Sequence, residues 1–254
     1  MNMRASRTLA FIVASAILMT FGPPAKAADW YTGVPADGPP IPRAPRAAID
    51  IALDGTSQAA YSATVIGTIA PFTPMDRSGF RIRGSGIVGT YQYNSTDVGK
   101  VNGTLVGGSL LMGYEWVFRR ATAAIYLGGE IVNTTISPND PNNQAKGTSA
   151  GLKIAGDFFV TPTDATMVAG VGSYSTNFSS YYTRLKFGMA FARGVYVGPE
   201  VGALGDNFFT QWRLGAHVTG FKIGMAQFGA AVGFLNDRVR GGGVYGTVDT
   251  RLTF

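Results

Sequence analysis

From about residue 49 onward the chain confines its charges to one parity of a two-residue repeat, and no other feature limits its fold so sharply. Successive side chains of a β-strand point to opposite faces, so this alternation describes strands with one polar and one apolar face. In QWRLGAHVT, Trp212, Leu214, Ala216 and Val218 share one face, while Gln211, Arg213, His217 and Thr219 share the other. In YYTRLKFGMAF, Leu185, Phe187, Met189 and Phe191 oppose Arg184 and Lys186. GFRIRGSGIVG sets Phe80 and Ile82 against Arg81 and Arg83, and AAIYLGGEI sets Ile125, Leu127 and Ile131 against Tyr126 and Glu130. GLKIAGDF sets Leu152, Ile154 and Phe158 against Lys153 and Asp157. In GTVDTRLTF, Val248, Leu252 and Phe254 oppose Asp249 and Arg251.

About twelve such segments begin near residues 49, 61, 79, 103, 121, 148, 164, 181, 194, 210, 221 and 244, and nothing reads as a long amphipathic helix. Strand plus turn then averages about 17 residues, which suits spanning strands of about 9–11 residues with their connections.

What surrounds the apolar faces follows from export and composition. Arg4 and Arg7 precede the apolar run Leu9–Phe21, and Ala25-Lys26-Ala27 offers a small-x-small site. Residues 1–27 therefore read as a cleavable export signal, cut between Ala27 and Ala28. A retained anchor is the competing reading, and the run is short for a bilayer span. Residues 28–48 hold Pro35, Pro39, Pro40, Pro42 and Pro45 and read as an extended periplasmic lead-in.

The whole chain has 21 Lys+Arg and 15 Asp+Glu; removing Arg4, Arg7 and Lys26 with the signal leaves 18 against 15, a net of +3. No basic cluster with interleaved aromatics remains, which argues against a nucleic-acid partner. The lack of cysteine excludes disulfides, a thiol nucleophile, cysteine metal sites and a lipoprotein anchor. Only 14% of residues are charged and 46% are hydrophobic, whereas soluble domains are about 25% charged. The chain is therefore expected to form an all-β, transmembrane antiparallel up-and-down barrel over residues 49–254, bathed in lipid of a Gram-negative outer membrane. A soluble periplasmic β-sandwich or solenoid is the structural competitor.

Barrels of this kind carry short turns on the periplasmic side and longer loops outside. The expected periplasmic turns lie near Pro71–Ser78, Arg119-Arg120, Thr161–Asp164, Ala192–Gly194 and Gly220. The expected outer loops are Asn94–Lys100, Ser137–Gly147, Thr176–Ser180 and Asn236–Gly243. Pro71–Ser78 is long for its side.

The polar parity places Arg81, Arg83, Glu115, Glu130, Lys153, Asp157, Arg184, Lys186, Glu200, Arg213, His217, Asp249 and Arg251 in the lumen. They could line a pore or a polysaccharide-contacting channel. Mixed signs favour a lumen filled by ion-paired side chains, because an unpaired buried charge is costly. His217 is the only histidine. It could activate a serine, as in a lipid-modifying barrel enzyme, but no serine stands in a recognisable partner context. A lumen histidine bonded to Gln211, Glu200 or a neighbour is the simpler reading.

The two G-x-G-x-x-G matches, GSGIVG and GGGVYG, lack the following helix that a nucleotide-binding loop requires. No cofactor or metal is called for. Trp116, Trp212, Tyr91, Tyr93, Tyr114 and Tyr245 lie near strand ends and read as interfacial girdles. Phe254, an outward aromatic ending the closing strand, reads as a signal to the barrel-assembly machinery.

As a set, GYEWVF, SPNDPNNQAKGTSAGLKIAGDF, GSYSTNFSSYYTRLKFG, VGPEVGALGDNFFTQWRLGAHVTGF and GGGVYGTVDTRLTF resemble the cellulose biosynthesis protein BcsS family. The resemblance covers most of residues 79–254 and is strongest from Gly172 onward. It implies an exported β-protein serving bacterial cellulose synthesis or secretion as a conduit, a scaffold or a polymer contact, with cellulose or its secretion machinery as partner. It brings no catalytic residues, and Pro199, Glu200, Gly205 and Asp206 read as strand-end and loop structure. A general porin and a lipid-modifying enzyme are the alternatives.

Overall fold

The structure, a computed structural model, describes residues 44–254 apart from 142, 144 and 193. The export signal, its Ala27/Ala28 cut and most of the Pro-rich lead-in lie outside the described residues. Twelve strands follow in order: β1 (Ala47–Thr56), β2 (Ala60–Ile69), β3 (Gly79–Ser95), β4 (Gly99–Phe118), β5 (Ala121–Ser137), β6 (Gly147–Thr163), β7 (Thr166–Ser175), β8 (Ser180–Ala192), β9 (Val195–Gly205), β10 (Thr210–Ile223), β11 (Ala226–Asp237) and β12 (Gly241–Thr253). Each pairs antiparallel with its sequence neighbours, and β12 returns to β1, so the sheet closes without an edge. The seam runs from Ala48 opposite Thr253 to Thr56 opposite Tyr245. It is extended by Phe254, whose N–H donates to the Ala47 carbonyl and whose carbonyl accepts from Arg46 and Ala47. Closure satisfies the backbone where no water can, a requirement of any sheet that crosses a bilayer.

Outward positions are apolar and open, as at Leu110 (65% exposed) and Phe191 (81%). An uncovered hydrophobic surface running around a whole molecule is incompatible with water and is the belt of a transmembrane barrel. Along that belt Phe80 meets Tyr114 edge to face and Tyr114 meets Trp116 at a tilt, with ring centroids 5.3 and 5.2 Å apart.

One rim, the turn rim, has connections of two residues at 119–120, 164–165, 193–194 and 224–225, plus the long segment 70–78. The opposite loop rim has 57–59, 96–98, 138–146, 176–179, 206–209 and 238–240. Two expectations need correction. The Asn94–Lys100 and Asn236–Gly243 stretches are mostly strand, because Asn94 pairs with Lys100 and Asp237 with Gly241. Polar residues there continue the ladder beyond the apolar belt. Gly220 is a bulge inside β10, with register slipping between Thr219 and Phe221; the turn lies at 224–225. Its φ of +101° is left-handed territory, which suits glycine at a bulge. The barrel also begins at Ala47, two residues before the expected boundary.

Candidate functional site

The candidate site is the lumen, which every strand supplies with alternate side chains. Arg81, Arg83, Glu115, Glu130, Lys153, Asp157, Arg184, Lys186, Glu200, His217, Asp249 and Arg251 are all buried there, and Arg213 nearly so. Asp50 and Asp54 join them. The seven cations Arg81, Arg83, Lys153, Arg184, Lys186, Arg213 and Arg251 thus meet seven acids, the other five being Glu115, Glu130, Asp157, Glu200 and Asp249.

Near the turn rim, Arg81 Nε donates to Glu115 at 2.6 Å. Its remaining nitrogens reach carbonyls of Thr73, Pro74 and Arg77. That grip folds segment 70–78 inward, and Met75 is fully buried in the lumen core. The segment's length is explained by this inward course.

Deeper in, Arg83 on β3 pairs with Asp157 on β6 at 2.9 Å, with β4 and β5 lying between them in the wall. The Arg83 guanidinium lies 3.5 Å from the centroid of the Tyr126 ring, a cation–π contact that desolvation strengthens. Lys153 meets Glu130 at 2.5 Å, and Arg251 faces Asp50 at 3.8 Å.

Towards the loop rim, Arg213 on β10 grips Asp54 on β1 through two bonds of 2.6 and 3.0 Å, the bidentate geometry that suits guanidinium to carboxylate. Thr247 donates to the same carboxylate at 2.9 Å. Arg184 on β8 donates twice to Glu200 on β9, at 2.9 and 2.5 Å. Tyr245 on β12 donates to the other Glu200 oxygen at 2.7 Å. Asp249, also on β12, faces Lys186 at 3.6 Å and Arg184 at 3.9 Å. Several of these contacts therefore join walls that are not neighbours in the sheet, and they cross the space a channel would occupy.

At the loop rim Tyr93 donates to Asp140 at 3.1 Å and accepts from Asn143 at 2.7 Å. Ala145 packs inside with Ile87, Leu105 and Val132, beneath Phe178 and Phe208.

His217 Nε2 bonds the Phe187 carbonyl at 3.2 Å, so that nitrogen carries the proton and Nδ1 accepts from the Thr219 hydroxyl at 3.0 Å. Its partners are neither a serine nor Gln211 or Glu200, but other neighbours in the wall, as the simpler reading allowed. Gln211 accepts from Arg213 instead. Both glycine-rich matches lie within strands, in β3 and β12. Among the described residues no three histidine, aspartate or glutamate side chains converge as metal ligands would.

Sequence reasoning missed Asp50 and Asp54, although IDIALDGT carries the same alternation that marked the other strands. It also misplaced Tyr91, Tyr93 and Tyr245, which are buried in the lumen and take no part in an outer girdle. Tyr91 lies over Gly103, its cross-strand partner, where a Cβ would come within 2.0 Å of the ring. Glycine opposite an inward tyrosine makes room for the ring within the barrel's bore.

Residues 49–254 match the family profile described as cellulose biosynthesis protein BcsS. Similar solved barrels include the KdgM porin, 14% identical with a TM-score of 0.41, covering 82% of this chain and 99% of the porin. The transport unit of the autotransporter AIDA-I from Escherichia coli is 9% identical with a TM-score of 0.48, covering 85% of this chain and 93% of that unit. No curated protein matches the sequence. With the profile spanning the barrel from β1 to Phe254, the chain belongs to the cellulose biosynthesis protein BcsS family.

Proposed function

We propose that the protein is a non-conducting, non-enzymatic outer-membrane scaffold for cellulose synthesis or secretion, with its turn rim in the periplasm. One observation carries this reading: ion pairs such as Arg83–Asp157, from β3 to β6, and Arg213–Asp54, from β10 to β1, reach through the lumen past two intervening strands. A conduit for a glucan chain would need that space, and so would a general porin. A lipid-modifying enzyme would need a nucleophile at a membrane interface, whereas His217 is buried with both ring nitrogens engaged. Cellulose biosynthesis enters through the family, and the secretion machinery is the partner such a scaffold would hold. Purified protein in planar bilayers is expected to give no steady ionic current; stable single-channel steps would overturn the closed reading.

Phe254 fits a role in assembly, because its half-exposed ring stands on the outer face at the seam where β12 meets β1. Deleting it is expected to reduce the amount of folded barrel in the outer membrane severalfold. The unfolding temperature of the fraction that assembles should change little. Unchanged membrane levels would remove Phe254 from that role.

A further inference from the structure

We infer that the turn rim between β1 and β5 binds the phosphate headgroup of an anionic phospholipid, whose acyl chains lie along the aromatic outer face of β3 and β4. From the reading above this takes only that the turn rim meets the periplasmic, phospholipid leaflet.

Backbone bonds gather the cations. The Ala70 N–H donates to the Arg46 carbonyl at 2.8 Å and the Met75 N–H to that of Pro45 at 2.9 Å, so the chain entering β1 lies against segment 70–78. Near the segment's other end Arg77 is pinned by its carbonyl, which accepts from Arg81 Nη2 at 2.6 Å. The Ser78 hydroxyl then accepts from the Val117 N–H at 2.8 Å, which fixes the segment to the end of β4. Phe118 leads directly from there into the Arg119-Arg120 turn. Arg46, Arg77, Arg119 and Arg120 thus share one sector of the rim, and all four are exposed.

Their charge is poorly answered within the chain. Arg120 reaches Asp164 at 2.9 Å, a pair open to solvent. Among the described residues Arg46, Arg77 and Arg119 form no ion pair. Asp76, the other acid of this sector, is partly buried and comes within salt-bridge distance of none of them. Four guanidiniums against the carboxylates of Asp76 and Asp164 leave the sector positive.

Directly below the arginines, Phe80, Trp116 and Phe118 stand exposed on the outer face, with Tyr114 between Phe80 and Trp116. Rings at the edge of an apolar belt, with cations beside them, mark the headgroup level of a membrane. Both features together select the occupant. A soluble acidic partner would meet the rim alone and leave the rings uncovered. A zwitterionic lipid would cover the rings and leave three arginines without a counter-charge. An anionic phospholipid supplies its phosphate to the guanidinium forks, which suit that group, and its chains to the rings.

Trp116 lets the site report on itself. With Trp30→Phe and Trp212→Phe it is the sole tryptophan, and a brominated acyl chain beside it quenches its fluorescence. Full-length protein of this kind is placed in phosphatidylcholine nanodiscs carrying a minor share of brominated phosphatidylglycerol, or the same share of brominated phosphatidylcholine. Quenching is expected to favour phosphatidylglycerol about fivefold, the gain from one arginine at an anionic surface. The preference should fall at about 0.5 M NaCl, where screening shortens the reach of each charge. Adding Arg77→Gln with Arg119→Gln should bring the two lipids to parity, with heat-modifiable migration unchanged to show that the barrel folds. Both leaflets of a nanodisc hold the same lipids, so neither the barrel's orientation nor conduction through it alters the outcome. The proposal is overturned if the two lipids quench alike before the arginines are changed, or if the folded arginine variant keeps the preference. It also falls if inorganic phosphate at matched ionic strength abolishes the preference, which would assign the arginines to a free anion.

Discussion

Glu200→Leu is expected to lower the stability of the barrel by about 3–5 kcal/mol, the usual cost of removing one partner from a buried ion pair. The readout is the temperature at which the compact, heat-modifiable band is lost, or the urea midpoint in detergent. Glu200 is 2% exposed and accepts three bonds, two from Arg184 and one from Tyr245. Without it Arg184 keeps only Asp249, at 3.9 Å, and the Tyr245 hydroxyl has lost its acceptor. The double variant Arg184→Leu with Glu200→Leu separates charge from shape. Removing both charges should recover most of the loss, because well-packed apolar side chains often replace a buried pair at little cost. Asp249 then retains Lys186 at 3.6 Å. If Glu200→Leu is as stable as the wild type, the lumen is wet enough to solvate an orphaned guanidinium. The closed-lumen reading would fall with that result.

The strand parity that places Arg184 and Glu200 inside was legible because a one-residue slip would turn every charge of a strand into lipid. Parity also carried more than was read from it. Tyr245 stands on the same parity as Asp249 and Arg251, and Tyr91 on that of Arg81 and Arg83. Their nearness to strand ends suggested a girdle, yet the side of the strand, and not its end, decides which solvent a ring meets. The true girdle members share parity with aliphatics, as Trp116 does with Leu110 and Met112. Pairing across the lumen was not legible at all. Arg83 and Asp157 lie 74 residues apart in sequence, and their meeting depends on strand number, tilt and stagger together. Loop lengths misled for a related reason. Asparagine, glycine and serine signal turns in isolation, but a neighbouring strand that offers a ladder keeps them extended, as at Asn94 and Ser95.

Leu127→Arg is expected to cost about 2–4 kcal/mol, the penalty of a cation at the midplane of a transmembrane barrel. Leu127 is the middle of the outward set Ala123, Ile125, Leu127, Gly129 and Ile131 on β5, and it is 62% exposed. Its cross-strand partner Met112 is also open, so the guanidinium would enter a wholly apolar neighbourhood and have to reach for an interface. Thr148→Arg provides the contrast. Thr148 is outward on β6 beyond Leu152 and Ile154, opposite Asn133, where the surface is already polar. Arginine there should cost no more than about 0–1 kcal/mol, as at an interface. Measured by unfolding in lipid bilayers, the difference between the two variants locates the edge of the hydrocarbon belt on this wall. Equal and large penalties would place Thr148 within lipid. Equal and small ones would mean that the apolar outer face is covered by something other than a bilayer.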